Sequence, residues 1–149
     1  MIDLVTSHTN IVAIKDASGD LVSAAHYKSV LGDDIDLYSG DDSVVVPFMG
    51  IGAVGLVSVA AHWAAREFVS LIESAERGDW VRARVFNERL AASYAFESSD
   101  LYPNPMPSKA ALRYLGIDVG QCRLPHSESD DTLDADAAKV VAALQASRG

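Results

Sequence analysis

The chain has 149 residues, 49% hydrophobic and 22% charged, with a mean hydropathy of +0.11, which gives enough apolar content for one packed domain, or one domain with a small appendage. Its formal net charge of −9 and its pI near 4.7 argue against nucleic-acid and anionic-membrane partners, since either would need a basic patch. Cys122 stands alone, which excludes an intrachain disulfide, a paired-cysteine metal site and a redox pair, and fits a reducing cytoplasm.

The first ten residues have neither a basic start nor a long apolar core, so they do not read as a signal peptide. The apolar run Ile11-Val12-Ala13-Ile14-Lys15 predicts a strand over residues 10–15, buried on both faces in the manner of a parallel sheet. Ser18-Gly19 turns the chain into a helix over 20–31, stopped by Gly32-Asp33-Asp34. A second strand is expected over 35–39, and the carboxylates of Asp41 and Asp42 suit the start of a short helix through Met49. The valine-rich stretch 53–60 reads as a third strand, and 62–77 has helical periodicity with Trp63, Phe68, Leu71 and Ile72 on roughly one face. The nearly uncharged segment 43–65 is broken by Pro47, Gly50, Gly52 and Gly55, so it reads as helix, turn and strand rather than as a membrane span.

After Gly78 no further strand is expected. Residues 80–97 are helical, Ser108 is placed as the N-cap of a helix closed by Gly116, and a polar loop over 118–130 precedes a last helix over 132–147. The boundary is therefore set near Gly78, between an alternating strand and helix unit (1–78) and an all-helical region (79–149). Three parallel strands with short connections belong either to a doubly wound sheet or to part of an eight-stranded barrel.

Gly50-Ile51-Gly52-Ala53-Val54-Gly55 matches the dinucleotide fingerprint in letters but not in context, because a helix precedes it and a strand follows. The plain reading is a tight turn, with Gly55 leaving room inside a narrow sheet or barrel. Asp41-Asp42 more simply cap a helix than hold a metal, the four histidines lack ligand spacing, and Ser58 has no nucleophile-elbow glycines and reads as a strand residue. Trp63, Trp80 and Phe86 are expected as core or interface aromatics.

Lys15 is different in kind. An amine at the end of a buried parallel strand sits at the mouth of the sheet, where substrates bind, and alternation puts the apolar Ile11 and Ala13 on its face. Desolvation by such neighbours favours the neutral amine, which is the nucleophilic form. A lysine that simply reaches water is the competing interpretation.

The stretch Asn10-Ile11-Val12-Ala13-Ile14-Lys15-Asp16-Ala17-Ser18-Gly19-Asp20-Leu21 resembles the Schiff-base segment of the dihydrodipicolinate synthase family, pyruvate-dependent enzymes of lysine biosynthesis. The likeness continues in order through Ser39-Gly40-Asp41-Asp42, Gly52-Ala53-Val54-Gly55-Leu56-Val57-Ser58-Val59 and Asn104-Pro105-Met106-Pro107-Ser108-Lys109. It implies an α/β fold that is the C-terminal part of a (β/α)8 barrel, strands six to eight, followed by helices. A complete barrel takes about 250 residues, so the resemblance also implies a truncated chain, inactive alone, without the threonines, tyrosine and arginine that the family carries on its earlier strands.

By the same resemblance Lys15 is the imine-forming lysine, and Val57 lends a backbone carbonyl to the pyruvate site. Gly40, Asp41 and Asn104 lie near the second-substrate end, where two extra residues in Ser98-Ser99-Asp100-Leu101-Tyr102 set this chain apart. Pyruvate and aspartate semialdehyde are the implied substrates, with no metal or cofactor. A family tetramer is implied too, with Leu21, Val22 and Ile51 at its contacts. N-acetylneuraminate lyase, a keto-deoxy sugar acid aldolase and a non-catalytic remnant that binds barrel subunits are the competing readings. Open strand edges lead to the expectation that the isolated chain folds poorly, aggregates or pairs with another chain.

Overall fold

The computed structural model describes residues 1–148. Three short parallel strands, β1 (Ala13–Asp16), β2 (Asp36–Ser39) and β3 (Gly55–Leu56), lie side by side in chain order. Helices α1 (Ile2–Ser7), α2 (Leu21–Leu31), α3 (Val45–Gly50), α4 (Ala61–Glu76), α5 (Trp80–Phe96), α6 (Met106–Tyr114) and α7 (Asp131–Ala146) make up most of the rest. None of them is long and apolar enough to cross a membrane.

Local chemistry fixes the helix ends. Asp20 caps α2 by accepting the amides of Val22 (3.0 Å) and Ser23 (3.1 Å), and Gly32 ends it at φ +61°. Asp79 and Asp130 do the same for α5 and α7, accepting from Arg82 (3.0 Å) and Leu133 (2.9 Å). Ser108 does not cap α6: the helix begins at Met106 after Pro105, and the Ser108 hydroxyl lies inside the first turn, donating to Asn104 Oδ1 at 3.1 Å. A proline needs no amide partner at a helix start, which moves the boundary ahead of the serine.

The strand expected over 53–60 is cut to Gly55–Leu56. Val54 and Val57 extend its course beside β2, donating to Leu37 and Ser39 at 2.8 Å each. Beyond Val57 the chain turns. Ser58 is thus a turn residue rather than a strand residue, and its hydroxyl accepts the Ala61 amide at the entry to α4 (2.8 Å). A short helix at the start, α1, stands where none was expected and buries only Val5.

One face of the sheet is packed and the other is open. Ile14, Ile35 and Leu37 join Val5, Ala24, Phe48 and Ala53 in a core beneath the strands. Burial alternates along β1, so Ala13 and Lys15 are exposed while Ile14 and Asp16 are buried. The expectation of a strand covered on both faces therefore fails within this chain. A larger core of Val45, Met49, Trp63, Phe68, Leu71, Leu90, Ala111 and Val141 binds α3 to α7 together and runs across the boundary near Gly78. Within it the Trp63 indole donates to Ser93 Oγ (3.1 Å) and meets Phe96 edge-on at 5.7 Å.

Candidate active site

The parallel register decides which side chains share the open face. Lys15 lies opposite Tyr38, and Tyr38 opposite Gly55, so the three form one row across the sheet. A methyl group on Gly55 would come within 3.2 Å of the Tyr38 ring, so the glycine gives the ring its place over β3. The glycine-rich turn before β3 thus serves packing, with α3 ahead of it and the strand behind.

Gly40 stands just past the end of β2, and its amide donates to the Asp16 carbonyl at 2.7 Å. A Cβ at this position would lie 2.7 Å from the Cε of Lys15 and 2.7 Å from the Cβ of Ala17. The lysine stem therefore rests on bare backbone, and any side chain at this position would force Lys15 or Ala17 to shift. Asp16 points to the opposite face, where its carboxylate accepts the Ser18 amide at 2.8 Å. Among the described residues no carboxylate lies within ion-pair distance of Lys15.

Val57 continues beyond β3 and is 47% exposed. Its amide is held by Ser39 (2.8 Å), while its carbonyl accepts no hydrogen bond among the described residues and is free to meet a ligand. Lys15, Tyr38, Gly40, Gly55 and Val57 thus gather at the sheet.

The two aspartates after Gly40 divide their work. Asp41 caps the 3-10 turn Asp42–Val44, its Oδ1 accepting the Ser43 amide (3.0 Å) and hydroxyl (2.9 Å). Asp42 is 1% exposed and spans to the far end of β3, where its Oδ2 accepts the amides of Val59 (2.8 Å) and Ala60 (3.1 Å). Asn104 belongs to the helical side: its hydrogen bonds run to Ser108 and, at 3.5 Å, to Ser98. The structure gives it no contact with Lys15.

Tyr38 and the reach of Asp42 escaped the sequence reading. Parallel pairing could have found the tyrosine, since the residue opposite Lys15 follows once the register is known. Asp42 had no such signal, because its partners lie beyond an intervening helix and turn.

Of the expected tetramer contacts, Val22 is 81% exposed, whereas Leu21 and Ile51 pack partly against the core under the sheet.

The profile of the dihydrodipicolinate synthetase family matches residues 1–145. A 4-hydroxy-tetrahydrodipicolinate synthase of Prochlorococcus marinus is 36% identical over 137 residues, covering 92% of this chain and 45% of the relative. Among solved structures, dihydrodipicolinate synthase from Cyanidioschyzon merolae with lysine bound superposes with a TM-score of 0.89 at 34% identity, over 97% of this chain and 48% of that one. The chloride-inhibited enzyme of Acinetobacter baumannii, complexed with pyruvate, gives 0.83 at 28% identity, over 97% of this chain and 50% of its own. The chain spans about half the length of the relatives it matches. With its three parallel strands and trailing helices, it forms the C-terminal part, strands six to eight, of a (β/α)8 barrel and belongs to the dihydrodipicolinate synthetase family.

Proposed function

We propose that this chain carries the imine-forming part of a class I, pyruvate-dependent lyase, the 4-hydroxy-tetrahydrodipicolinate synthase. The observation that carries the reading is the seat of Lys15, whose stem lies against Gly40 on the open face, beside Tyr38 and on the same sheet as the free carbonyl of Val57. The pyruvate in the Acinetobacter baumannii relative supports the choice of keto acid.

The neutral Lys15 amine adds to the ketone carbon of pyruvate, and loss of water leaves a carbon–nitrogen double bond. This imine withdraws electrons, so a proton departs from the methyl carbon and an enamine forms. The enamine carbon attacks the aldehyde carbon of L-aspartate-4-semialdehyde, whose oxygen takes up a proton as the new carbon–carbon bond forms. The amino group of that substrate then displaces the lysine from the imine carbon, closing the ring and releasing Lys15 unchanged. No redox partner is needed. Gly40 sets the path of the lysine stem, and the Val57 carbonyl lines the pyruvate site. The resemblance assigns Asp41 and Asn104 to the second-substrate end; in the structure each makes a hydrogen bond with a local serine.

The family resemblance implies that the open face looks into a closed ring, with the groups that move the methyl proton and bind carboxylate supplied by strands one to five. Incubation with pyruvate and borohydride, alone and with the N-terminal half of a relative, tests the reading. Mass spectrometry should find the reduced pyruvate adduct on Lys15. Its absence from both folded samples, or an adduct that persists in Lys15→Arg, would overturn the assignment.

A further inference from the structure

Asp42 leaves a matter of charge unresolved by its own hydrogen bonds. Its Oδ2 is satisfied by two amides, but its buried Oδ1 has no hydrogen-bond partner among the described residues. The other buried side-chain oxygen in the same condition is Oε2 of Glu97. Glu97 is the C-cap residue of α5, anchored by its amide to the Ser93 carbonyl at 3.0 Å, and α5 packs against the Asp42–Val44 turn, which brings its carboxyl toward Asp42. Two ionised carboxylates cannot satisfy one another, since both only accept. One proton between them supplies the missing donor and removes the repulsion. Asp42 already accepts two N–H groups through Oδ2 and presents Oδ1 as a further acceptor, so the donor that completes the pair is Glu97.

We propose that Glu97 is a positioning residue: as a neutral acid it donates to Asp42, holds that carboxylate on the Val59 and Ala60 amides, and so fixes the end of β3 next to the Val57 carbonyl. Only the last link rests on the reading of the site as a pyruvate lyase.

The surroundings agree. Burial, then the hydrogen bond to Asp42 and the charges of Asp42 and Asp41, push Glu97 up to about 9. Tyr94, the remaining titratable neighbour, is also raised, by burial first and then by Asp42 and Glu97. Its hydroxyl donates to Asn87 (3.0 Å), so it does not fill the vacancy. Among the described residues no cation pairs with either carboxylate, and no third ligand makes the pair a metal site. In the folded chain Glu97 holds its proton from its ordinary value of 4.5 up to about 9. The stability it confers is complete below the lower value and is lost as pH rises through the upper one.

The test uses the full chain with ¹³C-labelled glutamate, the Glu97 signal being assigned by its loss in Glu97→Gln. The carboxyl should titrate near 9. Titration with the other glutamates overturns the proposal. Hydrogen-exchange protection of Val59 and Ala60 should fall about tenfold in the native chain between about pH 7 and about pH 10, and stay level in Glu97→Gln, which donates but cannot ionise. If the glutamine variant shows the same fall, the proposal fails; it also fails if Glu97→Ala folds with native protection. Glu97→Ala should raise the pyruvate concentration needed for half-maximal trapping, and Glu97→Gln should restore it. Normal titration of Glu97 with adduct formation intact overturns this inference alone. A raised titration without any adduct on Lys15 keeps the carboxyl pair and overturns its tie to the lyase.

Discussion

The sheet and the helical layer differ in how completely each is finished within this chain. Helices α3 to α7 close around Leu71, Leu90 and Val141, all at 0 or 1% exposure, with the Trp63–Ser93 hydrogen bond inside. The sheet buries Ile14 and Leu37 below but leaves Ala13, Lys15 and Val57 uncovered above, and β1 and β3 each have one free edge. Fold stability is thus concentrated away from the candidate site. The candidate site stands on a surface that needs further protein to become a pocket.

The contrast can be broken by substitution. Leu90→Ala should have the largest effect, about 2–5 kcal/mol lost in urea unfolding, because a fully enclosed side chain leaves a cavity. Gly40→Ala should cost less, about 1–3 kcal/mol, through the crowding of Ala17 and Lys15. It should also abolish the borohydride-trapped adduct in a chain that still folds. Val57→Ala should change unfolding by less than about 1 kcal/mol, since the side chain is half in water and the proposed role uses only the backbone carbonyl. Smallest is Val22→Asp, within about 0.5 kcal/mol of the native chain. Sedimentation of this variant against the native chain tests the implied tetramer contact: weaker self-association is expected if the exposed Val22 face joins subunits. If Val57→Ala proved as costly as Leu90→Ala, the division into finished and unfinished regions would be wrong.

The ends of α2 and the start of α5 were legible in the sequence because their determinants are local, Asp20 and Gly32 bracketing α2 and Asp79 following the positive-φ Gly78, whereas the start of α6 was set by Pro105 and not by Ser108. Lys15 stood out for a similar reason, as the break in a short apolar run, and the structure puts it on the open face of β1. Strand β3 was misjudged because valine content reports a half-buried extended chain, whereas ladder length depends on neighbouring strands, and only β2 is there. The open face could not be foreseen from the alternation of Ile11, Ala13 and Lys15, since what covers a strand is set by distant chain. Asp41 and Asp42 look alike in sequence, yet one is a local cap and the other a buried brace to Val59, and only the third dimension separates them.

The bare backbone of Gly40 beneath the Lys15 stem carries a lesson for engineering. Grafting the lysine alone onto another barrel would set it against whatever Cβ the adjacent strand presents, and the amine would swing off target. Donor strand and neighbouring glycine have to be moved as a pair. A library that randomises position 40 while keeping Lys15 should yield mostly inactive clones, even among those that express well.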